Sequence, residues 1–400
     1  MKKFSKFNFH MYTEMVFGKG TVDGLADLIK KYGGTKVLFV YGSGSIRASG
    51  LYDRVKRALD GGGLPFAELG GVKANPLRSF AEKGIDLARA EGADFFLGVG
   101  GGSAIDTAKA IAIAMANDGE YWAYYNGVEP PRMAPVGAIN TIAAAGSETS
   151  GSTVLVDDIE TGRKSGLMWP GVCRPVFAIM DPELTYTLPA RQTAAGAADI
   201  FSHTFMRYFT NYASYLGDAY CVSTLRTVRK YAPVCLERPD DYEARAELML
   251  AAAFSHNDLT GVGRAGDGKG GEHALERQIS GYYDFPHGEG LAVMMPAYLK
   301  YMVRRGSAEQ AARVADFGVR VFDVEPEMGD AAAVAADGIE RFTVWLRSLG
   351  LPTTLAELGI PEGEYDTVAE RCVEENGGLI KGFMNIDADG IREIFTLARG

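Results

Sequence analysis

No stretch of this chain approaches the roughly 18–20 uninterrupted apolar residues that a spanning helix needs. The charged start, Met1 to His10, has no apolar run after it, so no secretory signal is expected. Cysteine is sparse. Cys173, Cys221, Cys235 and Cys372 form no Cys-x-x-Cys pair, and their gaps suit neither a zinc knuckle nor a disulfide framework. Scattered buried thiols in a reducing, cytoplasmic setting are the expectation. Positive charge is in deficit: 41 Lys and Arg stand against 51 Asp and Glu, a net charge of −10. With no basic block, neither nucleic acid nor an anionic membrane is expected as the main partner.

Glycine is in excess, 50 of 400 residues, where average usage is roughly 7%. It follows no Gly-X-Y period, which points to tight turns and close backbone approach to a ligand. Hydrophobic residues at 47% and charged ones at 23% exclude bulk disorder. The length fits about two domains.

The first half alternates apolar β-rich runs with glycine turns and helical patterns. Runs at Lys36–Tyr41, Asp94–Val99, Val136–Thr141, Ser152–Val156 and Val176–Met180 read as strands. Helices are expected around Gly50–Leu59 and from Ser103 to about Asn117. Strand, glycine, helix in succession predicts a parallel α/β sheet. After Pro182, Ala/Leu/Arg/Glu segments at helical spacing dominate. A boundary near Asp181–Leu188 therefore gives a nucleotide-binding α/β domain over residues 1–185 and a helical domain over 186–400. Without a low-complexity linker, the halves are expected to share a cleft.

Gly100-Gly-Gly-Ser103 lies between an expected strand and an expected helix. Backbone N–H groups there can approach a phosphate, and the helix N-terminus adds about half a positive charge. Ser103 and Asp106 also fit a Ser-x-x-Asp capping box, an ordinary structural use of both. Gly42-Ser-Gly-Ser45 follows the first run, with Arg47 where a third motif glycine would stand. A 2′-hydroxyl wants an acidic acceptor near this strand end, whereas a 2′-phosphate wants hydroxyls and a cation. Ser43, Ser45 and Arg47 precede any acid, so NADP(H) is favoured over NAD(H).

Histidine is scarce: His10, His203, His256, His273 and His287. Asp199 and His203, four apart in a helical pattern, share one helix face. With His273 and His287 they offer one carboxylate and three imidazoles, a set that suits Fe(II) or Zn(II). Sequence spacing leaves open whether the four meet in space. His10 and His256 read as non-ligands.

These residues sit in motifs that, taken together, resemble the iron-containing (group III) alcohol dehydrogenases, especially the butanol dehydrogenase-like branch. The motifs are Phe17-Gly-Lys-Gly20, Tyr41-Gly-Ser-Gly-Ser45, Asn75-Pro76, Gly100-Gly-Gly-Ser-Ala-Ile-Asp106-Thr-Ala-Lys109 and Gly146-Ser-Glu148. Asp181-Pro-Glu-Leu-Thr-Tyr-Thr-Leu-Pro189, Ala195-Gly-Ala-Ala-Asp199-Ile-Phe-Ser-His203 and Tyr283-Asp-Phe-Pro-His287-Gly continue them. The resemblance implies a Rossmann-like α/β domain with a parallel sheet and an all-α C-terminal domain, the architecture of dehydroquinate synthase. It implies cofactor and metal in the cleft between them. Asp199, His203, His273 and His287 then correspond to the metal ligands, with Fe(II) favoured and Zn(II) the alternative. Gly101, Gly102, Ser103 and Asp106 correspond to pyrophosphate and nicotinamide contacts. Asn75, Thr141, Ser147 and Lys164 are further cofactor positions, and Gly42, Ser43 and Ser45 lie at the adenosine-phosphate end. The implied activity is NADP-dependent interconversion of small primary alcohols and aldehydes, in a cytoplasmic homodimer.

Three positions depart from the branch: Arg277 replaces a second histidine, Lys269 an acid and Met206 a glutamate. The added cations make Arg277 the candidate catalytic residue, its guanidinium suited to a carboxylate or phosphate on the substrate. Rival readings are a sugar-phosphate cyclase, a glycerol dehydrogenase-like enzyme, or an impaired paralogue that binds nucleotide and metal without turnover.

Overall fold

A computed structural model describes residues 6–264, 270–283 and 285–400, and all but the side chain of Met328 among them. It divides into two compact units, one of residues 10–188 with 239–257, the other of 6–9, 189–238 and 258–400.

The first unit is built on a six-stranded parallel sheet. Its strands are β1 (Glu14–Phe17), β2 (Val37–Gly42), β3 (Phe66–Val72), β4 (Phe95–Gly100), β5 (Val136–Asn140) and β8 (Phe177–Met180), in the spatial order β1-β8-β5-β4-β2-β3. The central strands read as unbroken apolar runs because helices cover both faces. Leu38, Val40 and Phe96 face a core shared with helices Arg78–Glu91 and Gly102–Ala116. Val37, Phe39, Phe95, Leu97 and Val99 face the opposite core, with helices Leu25–Lys31 and Leu51–Gly61. The edge strands β1 and β3 are only half-buried over most of their length.

Two features differ from the sequence expectation. Ser152–Val156 (β6) is outside the sheet and forms an antiparallel pair with β7 (Lys164–Met168). The helix Tyr242–His256, which the sequence pattern groups with the helical half, packs within the first unit. There Ala253 O accepts a 2.9 Å hydrogen bond from the Thr149 hydroxyl.

The second unit is helical apart from a two-residue pair, Leu379–Ile380 with Ile386–Asp387. Helix Ala190–Tyr208 runs through its interior and is buried along most of its length. Phe201 stacks on Phe342 with ring centroids 4.9 Å apart, and Trp345, Phe317 and Phe322 close around it. Burial on this scale fixes the rotation of the helix about its axis, and so fixes which residues its polar face presents. Among the described residues no helix is long and apolar enough to cross a membrane. The four cysteines are buried and unbridged.

Candidate active site

The strands of the six-stranded sheet all run in one direction, so their carboxyl ends share one edge. Between β2 and β4 the strand order reverses, since β3 lies beyond β2 while β4, β5 and β8 extend the other way. In open α/β sheets, ligands bind outside the carboxyl ends at such a switch point. Both glycine-rich turns stand there: Gly42 at the end of β2 with Ser43 and Ser45 beyond it, and Gly101, Gly102 and Ser103 after β4. Thr141 follows β5, its N–H bonded to Gly100 O at 3.0 Å. Asn75 follows β3 in the left-handed conformation, φ 55°. Lys164 lies on β7, outside the sheet.

The turn after β4 needs its glycines. Gly100 has φ +142°, strained for any other residue, and a Cβ on Gly101 would stand 2.8 Å from Ile142 Cγ2. Helix Gly102–Ala116 follows, with Gly101 as its N-cap and no side-chain cap. The capping-box reading of Ser103 and Asp106 therefore fails. Asp106 instead accepts hydrogen bonds from Ser147 Oγ at 2.5 Å and from the Val154 N–H at 3.0 Å. Burial pushes its carboxyl above the ordinary range, against the pull of Lys109.

In the second unit, Asp199 and His203 lie one turn apart on Ala190–Tyr208, and His273 lies on Gly271–Ser280. One ligand atom from each of the three falls within 4.8 Å of the others, and all three residues are buried. The His203 and His273 rings stack with centroids 5.2 Å apart. His287 opens helix His287–Arg305, its ring centroid 5.5 Å from that of His273. The structure thus gathers three of the four candidate ligands into one group and sets the fourth beside it.

Two carboxylates that the sequence reading did not single out support these rings. Glu272 Oε1 lies 3.0 Å from His273 Nδ1, and Ser202 Oγ is 3.2 Å from the same nitrogen. Glu276, fully buried, places Oε2 2.5 Å from His287 Nδ1. His273 Nε2 is buried with no hydrogen-bond partner among the described residues. An imidazole held by a carboxylate at Nδ1 and left open at Nε2 is the form in which histidine binds a metal. The donor set, imidazole nitrogens with a carboxylate oxygen, fits iron or zinc. The sequence held one signal for these acids: both lie within a turn of His273. On that basis Glu272→Gln is expected to lower metal affinity about 10- to 100-fold with the fold retained, as read by metal retention against a competing chelator. Affinity equal to wild type would remove Glu272 from this role.

Arg277, one turn beyond His273, is exposed, and its side chain makes no hydrogen bond or ion pair among the described residues, while its carbonyl accepts from Gly281 N–H at 3.1 Å. Met206 approaches the start of the same helix; a Cβ on Gly270 would lie 2.8 Å from Met206 Cβ. Lys269 lies outside the described residues.

Comparison with known proteins places this geometry. Residues 13–182 match the family described as iron-containing alcohol dehydrogenase, and residues 193–398 match the C-terminal region of the Fe-containing alcohol dehydrogenase family. The chain is 37% identical over 394 residues to NADH-dependent butanol dehydrogenase A of Clostridium acetobutylicum, covering 97% of this chain and 98% of that one. It is 31% identical over 401 residues to the NADPH-dependent aldehyde reductase YqhD of Escherichia coli, covering 99% and 100%. The crystal structure of an NADH-dependent butanol dehydrogenase A from Thermotoga maritima superposes with a TM-score of 0.91 at 34% identity, over the whole of both chains. The family match favours a dehydrogenase over the cyclase alternative. Matched along both halves and carrying the sheet, the glycine turns and the histidine cluster, the chain belongs to the iron-containing alcohol dehydrogenase family, in its butanol dehydrogenase-like branch, and is an oxidoreductase of alcohols and aldehydes.

Proposed function

We propose that this enzyme uses NADP(H) and one divalent iron to reduce small aldehydes and oxidise primary alcohols, with Asp199, His203, His273 and His287 as the metal ligands. The main support is the convergence of Asp199, His203 and His273 within 4.8 Å, from helices far apart in sequence. When bound, the nicotinamide supplies the hydride and the metal supplies a Lewis acid for the carbonyl oxygen. The chain's own part is to hold and orient. Glu272 and Glu276 set the ring planes of His273 and His287. Gly101, Gly102 and Ser103 bring backbone N–H groups to the pyrophosphate at a helix N-terminus. Asn75, Asp106, Thr141, Ser147 and Lys164 complete the cofactor positions. By family likeness alone, the reading extends to a homodimer in the cytoplasm.

The preference for NADP(H) rests on charge near the end of β2. Ser43 and Ser45 are exposed there. The Arg47 guanidinium lies 3.8 Å over the Tyr52 ring and donates to Tyr41 Oη at 2.9 Å. Glu68, the nearby acid, accepts from Tyr41 Oη, Tyr52 Oη and Lys56 Nζ at 2.9, 2.7 and 3.1 Å. With that carboxylate engaged, the position suits a 2′-phosphate better than a ribose hydroxyl. The named relatives include both NADH- and NADPH-dependent enzymes.

Arg277 narrows the substrate. Its exposed fork, one turn from His273, suits an aldehyde that carries a carboxylate or phosphate. The test is metal analysis with reduction of butyraldehyde and a carboxylated semialdehyde, each with NADPH and NADH. Iron at one per chain and kcat/KM about tenfold or more higher with NADPH are expected. Arg277→Ala is expected to lower kcat/KM on the semialdehyde about 10- to 100-fold and on butyraldehyde by less than about threefold. A metal-reconstituted enzyme inert to both aldehydes would overturn the function. A preference for NADH would overturn the cofactor choice alone, and a wild-type preference for butyraldehyde would overturn the anionic substrate.

A further inference from the structure

The dinucleotide turn leans on a stretch of backbone that is neither helix nor strand. Residues 146–151 are buried, and a Cβ on Gly102 would lie 3.7 Å from Ala145 Cβ and 3.9 Å from Ser147 Cβ. Buried irregular backbone leaves carbonyls that must find donors. Here two buried cations supply them. From one side the Arg174 guanidinium donates to Thr149 O and, at 3.2 Å, to Asn257 O. From the other, Lys109 Nζ donates to the carbonyls of Ser147, Ser150 and Ser152 at 2.6, 2.9 and 2.9 Å, and lies 3.0 Å from Ser147 Oγ. An ammonium has three hydrogens, and the carbonyls number three. One turn nearer the glycine bend on the same helix, Asp106 takes the Ser147 hydroxyl and the Val154 N–H. A single helix, whose first residues form the cofactor turn, therefore fastens both ends of the segment.

We propose that Lys109 is a positioning residue for the dinucleotide site, its ammonium clamping the Ser147, Ser150 and Ser152 carbonyls so that Ser147 and the backbone behind Gly101–Ser103 hold the cofactor-binding arrangement. The proposal rests on the reading of that turn as the dinucleotide site. A neutral methionine of similar length would fill the space and leave all three carbonyls without a donor. Deprotonation acts in the same direction, because a neutral amine has two hydrogens and turns its lone pair toward the third carbonyl. Burial pushes the Lys109 pKa down to about 8; Asp106, Cys173 and Glu148 hold it up, and Arg174 lowers it further. The clamp is accordingly most complete well below pH 8 and is lost progressively as pH rises through about 8.

The experiment is titration of the full-length, iron-loaded enzyme with NADPH and NADH, followed by nucleotide fluorescence at pH 7 and pH 9. Wild type is expected to bind several-fold more weakly at pH 9. Lys109→Met is expected to bind about tenfold or more weakly at pH 7, with no further loss at pH 9 and with kcat at saturating cofactor within about threefold of wild type. A purely structural lysine would not give a pH-dependent affinity that disappears in the variant. Methionine-variant affinity equal to wild type, or wild-type affinity equal at the two pH values, would overturn the proposal. If Lys109→Met does not fold, the wild-type pH comparison decides, beside Lys109→Arg, whose permanent charge keeps affinity constant from pH 7 to 9. Wild type that binds neither nucleotide at pH 7 would sink the dinucleotide reading itself, an outcome distinct from a wild type that binds normally while the variant does too.

Discussion

Asp199→Asn is expected to release the metal and to lower kcat/KM for aldehyde reduction about a thousandfold or more. The substitution keeps the volume of a buried side chain on Ala190–Tyr208 and removes only its charge. A neutral amide is a poor ligand for a divalent ion, and the Lewis acid it forfeits supplies several kcal/mol of transition-state stabilisation, at about 1.4 kcal/mol per factor of ten. Two measurements separate this from misfolding. Chelator-treated wild type and variant should unfold at similar denaturant concentrations, since the metal-free pocket gains little from the carboxylate's charge. Added Fe(II) should then stabilise wild type alone, because a ligand stabilises only the chain that binds it. An asparagine variant with one iron per chain and normal turnover would remove Asp199 from the ligand set.

Gly288→Ala is expected to damage the same site from behind. Gly288 follows His287 directly, and a Cβ there would stand 1.9 Å from Ala195 O and 2.6 Å from Ala195 C. Ala195 belongs to the helix that carries Asp199 and His203, so the neighbouring atoms are main chain and cannot swing aside. Adding the methyl forces helices Ala190–Tyr208 and His287–Arg305 apart directly beside His287, one of the proposed metal ligands. The expected cost is about 3 kcal/mol, at the upper end for overpacking, together with loss of iron retention against a chelator. Gly363→Ala is the control: nothing lies within 4 Å of a Cβ there, and its effect is expected within about 0.5 kcal/mol. A Gly288→Ala protein with wild-type unfolding midpoint and iron content would show that the two helices can separate without disturbing the ligands.

Legibility in the sequence followed burial. Strands β2, β4, β5 and β8 were readable because covering helices on both faces demand continuous apolar runs, which stand out from a polar background. The half-buried edges β1 and β3 were not: Glu14 in one, and Glu68, Gly70 and Gly71 in the other, break the apolar pattern. Helix Tyr242–His256 has the same Ala/Leu composition as the helices after it, and composition does not record which core a helix joins. The Ser103–Asp106 spacing fits a cap, yet Gly101 takes that place and frees Asp106 to bond across to Ser147.

Local order along the chain was enough to establish the alternation of strand and helix, the glycine turns at strand ends, the change to helices after Pro182, and the shared face of Asp199 and His203. Each of these depends on spacings of a few residues, which backbone geometry converts directly into direction. Tertiary structure alone decided that His273 joins Asp199 and His203 while His287 stands beside it, that Glu272 and Glu276 support the rings, and that Lys109 reaches three carbonyls some 40 residues away. Those contacts join distant segments, and their positions follow from how whole helices pack, a quantity summed over many side chains and written in no single motif.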